Sequence, residues 1–93
     1  MTFRDNTAEH RYEFEEGGFL SFAEYRDVGH DHDVRVILHV ETPAEARGLG
    51  YAAKLMAAVV TDAKARNLKL RASCSYAVAY FRRHPAEVAP VEA

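Results

Sequence analysis

Hydrophobic and polar residues alternate along the first half of the chain, a pattern typical of strands with one buried face. Tyr12 and Phe14 stand between charged residues and predict a first strand. Two adjacent glycines then favour a turn, because glycine adopts positive φ at low cost. A second strand is predicted from Phe19 to about Asp27, where the alternation is less regular. The short connections predict an antiparallel meander.

The most regular alternation runs from Val34 to Glu41 and predicts a third strand after a polar, glycine-containing loop. Successive side chains of a strand point to opposite faces, so the segment divides into two sets. The two predicted faces are Val34, Val36, Leu38 and Val40 on one side, and Arg35, Ile37, His39 and Glu41 on the other.

The apolar residues change to a three- and four-residue period after a loop at 42–50, which predicts an amphipathic helix. This helix is expected from about Gly50 to Arg66, with Asn67 as its C-terminal stop. Alternation returns in Leu68–Ala72 and predicts a fourth strand.

A second helix is expected to begin near Ser73–Ser75 and to end before Pro85, since proline disfavours helix at the residue preceding it. The element order is therefore β-β-β-α-β-α. A strand–helix–strand unit with so long a connection usually makes its strands parallel neighbours. The sequence thus predicts an α+β fold with a mixed, mainly antiparallel sheet that becomes parallel after Glu41.

Length and composition fit a single small domain, because the 93 residues are 48% hydrophobic. The formal net charge of −2 argues against a nucleic-acid surface. One cysteine excludes an intrachain disulfide, and no metal site is expected, since the histidines and aspartates at 30–33 fit a polar turn. No apolar run suits a signal peptide or a membrane span, so a cytoplasmic protein without membrane contact is expected.

The most informative segment is the glycine-containing loop Arg47–Ala52, which lies between the third strand and the first helix. The first amides of a helix lack intrahelical partners, and the helix dipole favours an anion there. Gly48 and Gly50 allow close approach of the backbone to oxygen atoms, and Arg47 adds a positive charge. The segment therefore favours a diphosphate cradle; the alternative is a tight turn without a ligand.

The motif Arg-x-x-Gly-x-Ala, at Arg47, Gly50 and Ala52, resembles the cofactor-binding motif of the GNAT superfamily of acetyl-CoA-dependent N-acetyltransferases. The resemblance to the very small, single-domain branch of this superfamily covers roughly residues 10–87, with an ordered core expected at about 8–87 of a single 1–93 domain. The segments that carry it are 39–43, 46–50, 74–76 and 79–85. One departure is Val40, where the branch usually has threonine.

This resemblance implies acetyl-CoA as the cofactor and direct attack of an amine on the thioester. The pantetheine arm would lie along a strand that splays open beyond His39–Glu41, with the adenosine diphosphate on the glycine loop. The residues expected to contact coenzyme A are Val40, Arg47, Gly48, Leu49, Gly50, Tyr51, Ala52 and Arg83. The acceptor would be a small amine or a protein lysine, at a site that is open or completed by a partner.

Direct aminolysis needs a base for the amine and an acid for the leaving thiolate. Glu41 is the best-placed base, and its alternative is a solvated glutamate that flanks the loop. His39, on the same face, is either a proton relay or a histidine packed in the sheet with one hydrogen bond. Cys74, at a helix start, is a nucleophile, an acid or a packed thiol. Tyr76 and Tyr80, one turn apart, are candidate acids or core residues, and Arg83 is either a phosphate ligand or a helix-end cation.

The sequence therefore predicts an acyl-CoA-dependent N-acyltransferase. Two alternatives remain: a sensor that binds coenzyme A without turnover, and an interaction module whose glycine turn has only a steric role. A homodimer is a further expectation, because a small sheet with an exposed edge strand invites pairing.

Overall fold

A computed structural model describes residues 2–93, which form a five-stranded sheet with strands in the order β1-β2-β3-β4-β5. Neighbouring strands are antiparallel from β1 to β4, whereas β4 and β5 are parallel. The predicted α+β class and mixed, mainly antiparallel sheet are confirmed. The strands are β1 (Thr2–Asn6), β2 (Arg11–Glu16), β3 (Phe19–Val28), β4 (Val34–Glu41) and β5 (Lys69–Ala72).

Three α-helices accompany the sheet: α1 (Tyr51–Arg66), α2 (Ser75–Arg83) and α3 (Pro85–Val88). Helix α1 follows the predicted bounds and ends at Asn67, whose φ of 57° is left-handed. The Asn67 amide donates to the carbonyls of Ala63 and Lys64, so the predicted C-terminal stop is confirmed. Helix α2 also begins and ends where the sequence predicted.

The sequence did not predict β1 or α3. In β1, Phe3 is the lone large apolar residue, and its ring stacks on Tyr12 at 5.5 Å between centroids. After α2, Val88 and Val91 are buried, and the Ala93 amide donates to the Leu70 carbonyl at 2.8 Å. The C-terminal segment therefore covers the outer edge of β5. Both additions lie at or beyond the limits of the segment 8–87, in which order was expected.

The core gathers the apolar stripe of α1, one face of the sheet and parts of α2 and the C-terminal segment into one cluster. Apolar burial at about 25 cal/mol per Å² is the main favourable term for such a cluster. Its largest fully buried members are Tyr12, Phe14, Ile37, Leu55, Met56, Val59, Val60, Leu70, Val88 and Val91.

The predicted division of β4 into two faces is wrong beyond Ile37. A register shift against β3 pairs Tyr25 with Ile37 and Glu24 with His39, so Leu38 is an extra residue and is 42% exposed. This bulge reverses the alternation, because one unpaired residue exchanges the two faces. As a result Val40 shares the face of Ile37, and His39 points with Glu41 to the opposite face.

Arg35 is buried on the core-facing side of β4, on the face that it shares with Ile37 as the alternation predicted. Its guanidinium makes two hydrogen bonds to Asp27, at 2.7 and 2.8 Å, and one each to Asp5 and Tyr12. It also lies 3.8 Å from the ring centroid of Tyr25. Burial by itself lowers the pKa of Arg35, but the hydrogen bonds to Asp27 and Tyr12 raise it on balance. The network joins β1, β2, β3 and β4.

Candidate functional site

The two parallel strands separate at one end of the sheet. Pairing of β4 with β5 ends at Ile37 and Ala72, and the Ser73 amide makes one further hydrogen bond to the Ile37 carbonyl at 3.0 Å. Beyond that point β4 continues to Glu41 while paired with β3 alone. Residues 39–41 therefore have no pairing with β5 along their outer backbone edge.

Helix α1 begins beside this separation. Its N-cap is Gly50, with φ 79°, and no side chain among residues 2–93 caps it by a hydrogen bond. The amides of the first turn consequently lack intrahelical partners. A Cβ built at Gly48 or Gly50 would meet no atom of residues 2–93 within 4 Å. The backbone of this loop thus faces open space, and positive φ rather than crowding requires glycine there.

The separated strands and the start of α1 enclose a groove of about 610 Å³, a size in the range of small-molecule sites. Tyr76 of α2 closes one side. The lining residues are His39, Val40, Glu41, Thr42, Ala46, Arg47, Gly48, Gly50, Tyr51, Ala52, Ala53 and Tyr76.

Most residues predicted to bind the cofactor lie in this lining, whereas Leu49 and Arg83 do not. Leu49 is 55% exposed at the tip of the loop. Arg83 belongs to a separate depression on the exposed side of α2, together with Ser73, Ser75 and Arg82.

His39 and Glu41 lie together at the free end of β4. The imidazole Nε2 is 3.7 Å from a carboxylate oxygen of Glu41, and both side chains are about half exposed, at 52% and 51%. The ring of His39 also lies 6.1 Å from that of Phe22. The pair is thus open to solvent and in reach of a proton donor entering the groove.

Tyr76 and Tyr80 do not share a site, although they are one helical turn apart. Tyr76 lines the groove, and burial raises the pKa of its hydroxyl, partly offset by Arg83. Tyr80 is buried, donates a hydrogen bond to Glu87 at 2.9 Å and stacks on His84. Of these two tyrosines, Tyr76 is the one that lines the groove.

Cys74 lies at the N-terminal end of α2 and outside the groove lining. Its sulfur accepts a hydrogen bond from the Ala77 amide at 3.3 Å, the position of an N-cap side chain. This contact holds the first turn of the helix that carries Tyr76.

Thr42, Ala46 and Ala53 line the groove but were not predicted. Ala46 is fully buried, and the hydroxyl of Thr42 lies 3.1 Å from that of Ser21. Ala53 directly follows the predicted segment Arg47–Ala52, so extending that segment by one residue would have included it. The other two depend on the fold of the 44–46 turn, for which the sequence offered no periodic signal.

A mixed sheet that opens beside a glycine-led helix is the arrangement that the sequence resemblance implied. Residues 11–91 match the family described as GCN5-related N-acetyl-transferase. The match spans most of the 93 residues, so the chain belongs to this family. Among curated proteins, no sequence matches the chain.

Membership of this family implies, in general terms, N-acetyl transfer that depends on an acyl-CoA. The family typically uses acetyl-CoA as the donor. Within residues 2–93, no helix is long and apolar enough to cross a membrane. No group of three or more histidine, cysteine or acidic side chains in that same range is arranged to hold a metal ion.

The position of Cys74 leads to a prediction with a matched pair of variants. Serine retains an N-cap acceptor, whereas alanine removes it at a cost of about 1 kcal/mol. We expect Cys74→Ser to keep the wild-type turnover number and Cys74→Ala to lower the free energy of unfolding by about that amount. Steady-state kinetics and urea denaturation measure the two effects. Loss of turnover in Cys74→Ser at unchanged stability would instead assign chemistry to the thiol.

Proposed function

We propose that this protein transfers the acetyl group of acetyl-CoA directly to an amine, either a small molecule or an exposed lysine of a protein. One observation carries the proposal: a single groove joins the free edge of β4 to the uncapped start of α1. The free backbone edge of β4 can form hydrogen bonds with an extended, amide-containing arm. The uncapped start of α1 suits a diphosphate.

The glycine loop is the proposed phosphate site. The open space in front of Gly48 and Gly50 fits a bulky anion next to the backbone, a region that a Cβ would fill. The first-turn amides of α1 would donate to its oxygen atoms, and Arg47 supplies a positive charge from the groove wall. Bound acetyl-CoA supplies an acyl group activated as a thioester.

Glu41 and His39 are the proposed acceptors of the proton that the amine must lose. Either group can take this proton directly or through one water molecule, since both face solvent at the groove end. The pair therefore prepares the amine for attack.

Tyr76 is the proposed donor to the departing sulfur. Its hydroxyl lines the groove and is protonated at neutral pH, because the ordinary pKa of tyrosine is about 10 and burial raises the pKa of Tyr76 further. In the complete step the C–N bond forms and the C–S bond breaks. The amine proton goes to Glu41 or His39, the thiolate takes the Tyr76 proton, and water restores Tyr76.

Thiol release from acetyl-CoA with a panel of amines tests the proposal. We expect release above background hydrolysis with at least one amine, accompanied by a mass gain of one acetyl group on that amine. Heat on mixing with acetyl-CoA but no release with any amine would favour the sensor. Absence of both would leave a steric role for the glycine turn.

A further inference from the structure

Coenzyme A brings a diphosphate and a 3′-phosphate, so its binding places several negative charges at the groove mouth. Among the lining residues, Arg47 is the sole arginine or lysine. Its Nε lies 3.4 Å from the carbonyl oxygen of Thr42, a long hydrogen bond to a neutral acceptor. One guanidinium and one helix start leave much of that charge without a partner.

Lys54 is a cation close to the same mouth. It stands in the first turn of α1, directly after the lining residue Ala53. Its ammonium is 5.8 Å from the ring centroid of Tyr51, which itself lines the groove. The side chain is 52% exposed, and four flexible carbons let the ammonium change partners without moving the helix.

The Lys54 ammonium forms an ion pair with Glu16. Lys54 Nζ lies 2.8 Å from a Glu16 carboxylate oxygen, and this contact raises the pKa of Lys54. The turn after Glu16 packs closely on the groove wall, since a Cβ at Gly17 would come within 2.7 Å of the Tyr51 hydroxyl. The carboxylate of Glu16 therefore belongs to a residue next to a turn that approaches Tyr51 of the groove wall.

We infer that Lys54 is a second phosphate-binding cation of the groove, and that Glu16 competes with the phosphate for it. This inference rests on the proposed function. The two partners of this ion pair should therefore have opposite effects on the affinity for coenzyme A: the Glu16 carboxylate weakens binding, and the Lys54 ammonium strengthens it. A pair with only a structural role would give the same sign for both.

Isothermal titration calorimetry with coenzyme A and the full chain measures the affinity of each variant. We expect Lys54→Met to weaken binding about fivefold to tenfold and Glu16→Gln to strengthen it about threefold, as charge changes near an exposed ligand do. In the double variant, Glu16→Gln should no longer strengthen binding. Both single effects should shrink at high salt, because exposed charges are screened.

Two charge-matched variants serve as controls. Lys64→Met removes a lysine from the last turn of α1, and Glu15→Gln neutralises the neighbouring glutamate, which pairs with Arg4 on the other side of β2. Neither should change the affinity beyond twofold. Thermal melting of each variant confirms that the folded state persists.

Dephospho-coenzyme A identifies the phosphate. If the effect of Lys54→Met vanishes with this ligand, Lys54 binds the 3′-phosphate; if the effect remains, it binds the diphosphate. Unchanged affinity of Lys54→Met for both ligands, or weaker binding by Glu16→Gln, overturns the inference while wild-type binding stands. Failure of the wild type to bind either ligand contradicts the proposed function instead.

Discussion

Arg35→Met is expected to lower the free energy of unfolding by about 3–5 kcal/mol, the usual cost of removing one partner of a buried charge network. The Arg35 side chain is 6% exposed, and its loss leaves the carboxylate of Asp27 without its hydrogen-bonded cation and that of Asp5 with Arg66 alone. Urea denaturation followed by circular dichroism measures the change. For a domain of this size the loss approaches the total stability.

Arg26→Met is the control, because Arg26 is an exposed residue of β3 next to Asp27. It should change the free energy by no more than about 0.5 kcal/mol. The double variant Arg35→Met/Asp27→Asn should recover part of the lost free energy of unfolding, since it removes the unpaired carboxylate of Asp27. Equal effects of Arg35→Met and Arg26→Met would show that the network contributes little.

The pKa of Asp27 is lowered by its hydrogen bond to Arg35, so the pair also couples stability to pH. A carboxylate with a lowered folded-state pKa contributes its full stability above the unfolded value, near 3.8. That contribution is lost as the pH falls through the folded-state pKa. Acid should therefore destabilise the wild type more steeply than an Asp27→Asn variant.

Glu41→Gln is expected to lower the turnover number about 10²-fold to 10⁴-fold, the range attributed to a positioned general base. Glutamine preserves the size of the side chain but cannot accept the amine proton. The KM for acetyl-CoA should stay within about threefold, because the proposed phosphate site is carried by the glycine loop. Thiol release at saturating amine gives both constants.

The matched control for this variant is Glu45→Gln. Glu45 is exposed in the turn between β4 and α1 and is absent from the groove lining. Its neutralisation should leave both constants unchanged. A Glu41→Gln enzyme with normal turnover would transfer the role of base to His39 or to water.

Periodicity was sufficient to predict α1, α2 and four of the five strands, β2, β3, β4 and β5. Helix α1 could be bounded because Gly50 and Asn67 both carry their own backbone signal, a left-handed φ at each end. The position of the groove could be predicted from the same helix start, since an uncapped first turn next to a strand end is a favourable place for an anion.

Other features depend on contacts that local pattern does not encode. The bulge at Leu38 exchanges the faces of β4, although the sequence alternates without interruption. Strand β1 is held by stacking of Phe3 on Tyr12 and by the Arg35 network, whose members are far apart along the chain. The ion pair of Glu16 and Lys54, 38 positions apart, likewise appears only after folding.

If the protein binds coenzyme A as proposed, the backbone at the start of α1 receives the cofactor. Calorimetry of coenzyme A binding to Gly50→Ala and Gly18→Ala tests it most directly. Both glycines have left-handed φ, 79° and 81°, and both face open space, so alanine should cost each about 1–2 kcal/mol of stability. We predict at least a tenfold loss of affinity for Gly50→Ala alone; equal affinity of the two variants would contradict the account.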